Sequence, residues 1–153
     1  MSKTYQQLLE EARKLVPELS IDQVRAAVAG SKPPIVVDVR EKEEYREGHL
    51  PGAISIPRGF LEMQIEGKVD DKDQPVIAYC QSGIRSLFAA KAMKDMGYRD
   101  VRSMTGGYGA WKGAGYSWDK PFKFKAEQLE RYSRHFLLPE VGEAGQARLL
   151  QAK

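Results

Sequence analysis

The chain has 153 residues and a mass of 17.2 kDa, with 42% hydrophobic and 29% charged residues, the composition expected of one soluble globular domain. That balance excludes collagen-like, coiled-coil and wholly disordered chains, and no apolar run approaches the roughly 18 residues of a membrane span. The net charge of +3 sits entirely in the tail: residues 1–119 carry 17 Lys+Arg against 17 Asp+Glu, whereas 120–153 carry 7 against 4, so the body offers no basic surface for nucleic acid.

The opening, Met1-Ser2-Lys3-Thr4-Tyr5-Gln6-Gln7, lacks a basic-then-apolar signal segment, and a cytoplasmic location is expected. Tyr5, Leu8, Leu9, Ala12, Leu15 and Val16 recur at helical spacing, which predicts an amphipathic helix over 3–16 stopped by Pro17. Ser20 with Gln23 forms a capping box for a helix over about 21–28, closed by Gly30. Residues 35–39 read Ile-Val-Val-Asp-Val, a strand covered on both faces. A short charged helix over 41–47 ends at Gly48, and a second strand over 53–56 is stopped by Pro57. Residues 75–79 form a third strand, 85–96 a helix with Gly97 beyond it, 101–104 a fourth strand, and 108–112 a last helix after Gly106-Gly107. Strands separated by helices predict an α/β domain with a parallel sheet and helices on both faces. Three pieces are therefore expected: an N-terminal helix within 1–18, a central domain over 19–119, and a linker with a helical tail over 120–153.

A single cysteine, Cys80, excludes an internal disulfide and cysteine-rich metal sites, and two histidines, His49 and His135, leave little for a metal cluster. No metal and no cofactor is expected. Cys80 directly follows the strand 75–79, and a helix begins near Arg85. In an open α/β sheet, ligands bind beyond the carboxyl ends of strands. A short loop feeding a helix N-terminus there turns successive N–H groups toward one spot, and the helix dipole reinforces them. Such a field favours thiolate over thiol. Gly83 permits a positive φ, and Arg85 supplies a fixed charge with a fork suited to an oxyanion. Against this, a lone cysteine is commonly a small buried hydrophobe.

The segment Cys80-Gln81-Ser82-Gly83-Ile84-Arg85-Ser86 resembles the active-site loop of the rhodanese sulfurtransferases. Asp38-Val39-Arg40, Glu44-Tyr45, Gly48-His49-Leu50-Pro51-Gly52-Ala53 and Ile56-Pro57 are similar to that family's first signature, and Thr105-Gly106-Gly107 with Ala110-Trp111 to its last. The resemblance covers about residues 19–119. It implies a rhodanese-like five-stranded parallel sheet flanked by helices, and a Cys80 that takes sulfane sulfur from an anionic donor, thiosulfate or a protein persulfide. The resulting persulfide passes its sulfur to a thiophilic acceptor, cyanide in the test tube. The resemblance makes Cys80 the carrier, the amides of Gln81, Ser82, Gly83, Ile84 and Arg85 its cradle, and Arg85 the group that orients the donor. It also implies that Asp38 and Arg40 hold the fold through hydrogen bonds and an ion pair. His49 reads as structural before it reads as a general base, Trp111 as core, and Arg58 as a candidate anion contact on a loop that faces the cysteine. Rhodanese folds also serve as non-catalytic binding or regulatory modules, an alternative against which the intact cysteine and arginine weigh. Phosphatases of the same fold place five residues between cysteine and arginine; here there are four.

Residues 130–150, from Glu130-Arg131-Tyr132 through Arg134-His135-Phe136 to Gly145-Gln146, resemble the opening segment of adenylating (ThiF-like) enzymes of the molybdopterin and thiamine pathways. Arg134 matches the arginine that reaches a partner subunit's nucleotide there. No glycine-rich nucleotide loop, catalytic cysteine or zinc cysteines accompany it. The resemblance implies a fragment of a rhodanese–adenylating fusion or a naturally shortened relative, with a sulfur-carrier or adenylating protein as partner.

Overall fold

A computed structural model describes residues 2–120. The expected tail, with Arg134 and its adenylating-enzyme resemblance, lies outside the described residues. The elements run α1 (Tyr5–Leu15), β1 (Glu18–Leu19), α2 (Ile21–Val28), β2 (Ile35–Asp38), α3 (Lys42–Glu47), β3 (Ile54–Ser55), a 3₁₀ turn (Arg58–Phe60), α4 (Leu61–Lys68), β4 (Val76–Tyr79), α5 (Arg85–Asp95), β5 (Val101–Met104) and α6 (Gly107–Gly113). None of the described helices is long and apolar enough to cross a membrane.

The five strands form one sheet in the order β1-β5-β4-β2-β3, every pairing parallel. This is the predicted α/β architecture. Its two faces can be read from alternation along the central strands. Val76, Ala78 and Cys80 join Val37 and Val39 in a cluster with residues of α1, α4 and α5, whereas Ile77, Tyr79 and Val36 pack with Val24 of α2 and Tyr108 and Trp111 of α6. A strand buried on both faces has no polar positions to alternate with, which is why β2 and β4 read as continuous apolar runs. The N-terminal helix belongs to the first cluster through Leu9, Ala12 and Val16, and Tyr5 meets Phe88 of α5 with ring centroids 6.2 Å apart.

Besides the 3₁₀ turn, two elements have no counterpart in the sequence expectations. β1 is two residues long, held by pairing Glu18 with Ser103 and Leu19 with Met104. α4 buries only Leu61 and Ile65 and begins after Phe60, which gives no capping hydrogen bond.

The connections place the site. After β2 the chain leaves toward α3, whose Tyr45 packs on the α2/α6 face, whereas after β4 it leaves toward α5 on the opposite face. Because β2 and β4 are neighbours, their departing loops open a crevice at the carboxyl end of the sheet, the topological switch point at which α/β folds bind ligands.

Candidate active site

Cys80 lies at this crevice, immediately past β4. Its Sγ accepts the amide of Gly83 at 3.1 Å and the amide of Ser86 at 3.4 Å. Ser86 is the second residue of α5, the position whose N–H an N-cap side chain ordinarily satisfies, and the N-cap residue Ile84 has no group to do so. The sulfur takes that role and sits at the positive end of an 11-residue helix. The Ser86 hydroxyl lies 3.6 Å from Sγ and is itself 2.8 Å from the hydroxyl of Ser103, both serines being fully buried. Burial pushes the Cys80 thiol up, but the Ser86 hydroxyl and the amides of Ser86, Gly83 and Ser82 outweigh it and hold the thiol below its ordinary range.

The loop is backed by the last signature. Gly83 has φ +103°, and a Cβ there would press on the Gly106 nitrogen at 3.3 Å. Gly107 has φ +62°, and a Cβ there would strike the carbonyl oxygens of Cys80 and Gln81, the latter at 2.5 Å. With no side chain at 107, the Tyr108 amide reaches the Cys80 carbonyl at 2.8 Å and the Gly109 amide reaches the Gln81 carbonyl at 3.1 Å. The Gly106-Gly107 pair thus lets the start of α6 lie directly against the loop backbone.

Asp38 and Arg40 form an ion pair, both side chains buried. Arg40 donates to Asp38 through its backbone amide at 2.9 Å, Nε at 3.0 Å and Nη2 at 2.7 Å, and Nη2 also reaches the Gly48 carbonyl at 2.6 Å. Tyr79 donates its hydroxyl to Asp38 at 2.8 Å and accepts the Leu50 amide at 3.0 Å, and the Arg40 guanidinium lies 4.3 Å from the Tyr108 ring centre. Burial by itself lowers the Arg40 pKa, but the Asp38 carboxylate overrides it and the net direction is up. His49 stacks on Tyr45 at 3.8 Å, places Nδ1 3.1 Å from the Tyr45 carbonyl, and exchanges backbone hydrogen bonds with Asp119. Trp111 is buried in the core.

Arg85 stands beside the cysteine loop but is not free. Nη1 and Nη2 reach the two oxygens of Glu44 at 3.1 and 3.3 Å, and that carboxylate raises the Arg85 pKa. The guanidinium of Arg58 pairs with Glu62 one helical turn on, at 3.0 Å, and no hydrogen bond joins it to loop 80–85 among the described contacts. Gln81 and Ser82 are exposed, Gly83 is buried, and Ile84 is half-buried. A cavity of about 810 Å³ opens next to the loop, lined by Arg40, Glu44, Gln81, Tyr108, Gly109 and Trp118 among others. Cys80 is not among its lining residues, so the cavity lies beside the sulfur's cradle. Among the described residues no cluster of three or more His, Cys, Asp or Glu side chains is placed to hold a metal ion.

Glu44, Ser86 and Ser103 are thus site residues to which the sequence reading gave no role. Glu44 and Ser86 stand inside the quoted motifs, but their contacts with Arg85 and Cys80 depend on packing between elements. Ser103 carries no local signal, being one of two polar residues in the four-residue β5.

A model of the rhodanese-like domain matches residues 20–114. YrkF of Bacillus subtilis (strain 168), provisionally named a sulfur carrier protein, is 34% identical over 98 residues, 64% of this chain and 52% of YrkF, so the chain spans about half the length of that relative. Thiosulfate sulfurtransferase GlpE of Coxiella burnetii (strain RSA 331 / Henzerling II) is 32% identical over 78 residues, covering 51% of this chain and 71% of GlpE. Among solved structures, RPA3614 of Rhodopseudomonas palustris CGA009, described as a protein of unknown function and possible tyrosine phosphatase, is similar at 30% identity with a TM-score of 0.70, covering 78% of this chain and 96% of that one.

Proposed function

The chain belongs to the rhodanese-like family, and from that premise we propose that it is a sulfurtransferase in which Cys80 carries sulfane sulfur as a persulfide. The observation that supports this reading most directly is the sulfur held by the Gly83 and Ser86 amides at the start of α5, with its pKa drawn down. A thiolate at neutral pH is the nucleophile such chemistry needs. With thiosulfate as donor, the thiolate attacks the outer sulfur, the S–S bond breaks, and sulfite leaves with the bonding pair. Cyanide then removes the outer sulfur of the persulfide as thiocyanate and regenerates the thiolate. Loop amides that hold a thiolate also disperse the charge of a terminal persulfide sulfur. Arg85 orients the anionic donor, and the buried Asp38–Arg40 pair braces the loop from below through Gln81.

Intact mass after incubation with a sulfane-sulfur donor tests the proposal. A gain of one sulfur atom that is absent in Cys80→Ser and lost on adding cyanide supports it, whereas no gain with any donor favours a non-catalytic binding or regulatory module.

The description of RPA3614 motivates a second reading, a cysteine-dependent phosphatase. Against it stand the four residues between Cys80 and Arg85, one fewer than in the phosphatases of this fold. Release of phosphate from an aryl phosphate without thiocyanate formation in the cyanide assay reverses the assignment. The adenylating-enzyme resemblance of the tail extends the main proposal to a route that ends in a carrier-protein thiocarboxylate. Labelled sulfur that never reaches the activated C-terminus of a carrier protein removes that extension.

A further inference from the structure

Two guanidinium groups flank the Cys80 loop, and both are neutralised. Arg40 is paired with Asp38, and Arg85 is held by both oxygens of Glu44. Glu44 is anchored in turn, because its Oε1 also accepts the Glu41 amide at 2.9 Å as part of the capping box that starts α3. A second carboxylate, Glu41, contributes to the field at Arg85. An ion pair as exposed as this one, with side chains 40% and 34% accessible, adds little to stability. Its main effect is on the charge at the mouth of the site.

We infer that Glu44 is a specificity-determining residue that, by cancelling the charge of Arg85, selects a thiol-borne persulfide over the dianion thiosulfate as sulfur donor. The inference rests on the reading of Cys80 as the sulfur carrier. Coulomb interaction scales with the product of charges, so an anchored carboxylate opposes a dianion twice as strongly as a monoanion in the same place. In the favoured step the Cys80 thiolate attacks the outer sulfur of R–S–S⁻. The old S–S bond breaks as the new one forms, R–S⁻ leaves with the electron pair and takes a proton from water, and the Cys80 persulfide remains. No further oxidant or reductant enters.

The test compares kcat/KM for thiosulfate and for 2-hydroxyethyl persulfide, a monoanion whose only charge is on its outer sulfur, in the wild-type chain, Glu44→Gln and Glu44→Asp, with sulfur loading confirmed by intact mass. Glutamine keeps an oxygen for the Glu41 amide and suits a capping box, so E44Q removes the charge and leaves the start of α3 intact. The wild-type chain is expected to favour the persulfide. E44Q is expected to shift the ratio toward thiosulfate about tenfold, by an amount that shrinks as salt is raised, while E44D, which keeps the charge, stays near the wild-type ratio. A wild-type preference for thiosulfate, or a ratio that E44Q leaves unmoved or drives toward the persulfide, overturns the inference while leaving the sulfurtransferase reading intact. If neither donor loads Cys80 in the wild-type chain, both fall.

Discussion

Nη1 of Arg40 lies 3.3 Å from Oε1 of Gln81, so a buried ion pair at the end of β2 reaches across the crevice to the loop that follows β4. The two residues are 41 positions apart in sequence and meet because their strands are neighbours in register, with Asp38 opposite Tyr79. Fold stability and loop geometry therefore share one guanidinium.

Arg40→Met is expected to destabilise the protein by about 3–5 kcal/mol, because it leaves the Asp38 carboxylate buried without its cation. The urea midpoint measures this. Adding Asp38→Asn to Arg40→Met should recover part of the loss, since the unpaired charge is then gone. If the two substitutions are simply additive, the pair is not the source of the cost.

Ser86→Ala removes the hydroxyl that helps hold the Cys80 sulfur and is expected to raise its pKa, because the thiolate loses a hydrogen bond that favours the ionised form. Thiolate absorbance against pH reads this directly. The linkage has a definite sign. The folded chain releases the Cys80 proton more readily than the unfolded chain does, so this group's contribution to stability grows as pH rises from its lowered folded value to the ordinary thiol value of about 8.5. On acidification through the folded value the contribution disappears. Cys80→Ser should flatten that part of the stability–pH curve.

Gly107→Ala is expected to cost at least about 2 kcal/mol, combining a left-handed backbone penalty of about 1–2 kcal/mol with an overpacking term of similar size. The new methyl group meets the carbonyls of Cys80 and Gln81, so sulfur loading of the folded fraction should fall together with thermal stability. Gly113→Ala is the control, because a Cβ there meets nothing within 4 Å.

What could be read along the chain was whatever depends on near neighbours. The apolar run of β4, the cysteine at its end, the glycine in the loop and the helix beginning at Arg85 are contiguous, and together they marked the site. β1 could not be read, because two residues carry no period and their pairing partners lie more than 80 positions away. α4 escaped because Leu61 and Ile65 alone form its buried stripe while Met63 faces solvent and Gly67 interrupts it. The partners of the site were hidden for the same reason: Glu44 is 41 residues from Arg85, and Ser103 is 17 from Ser86.

Arg85→Ala is expected to raise KM for thiosulfate by about tenfold, the typical worth of a charged hydrogen bond to an anion. Arg58→Ala should raise it by less, since Arg58 lies in the 3₁₀ turn and not in the loop that holds the sulfur. Steady-state kinetics on the two variants decides between them, and a larger effect at Arg58 would move the donor's binding place toward the 3₁₀ turn.

Cys80 keeps only 1% of its surface accessible. A second sulfur, bonded at about 2.05 Å, lengthens the side chain by roughly one atom. The empty and the charged forms then differ in reach: a bulky acceptor barred from the cysteine's own atom could still touch the extra one, and cargo itself becomes the handle by which a recipient tells a full carrier from a spent one.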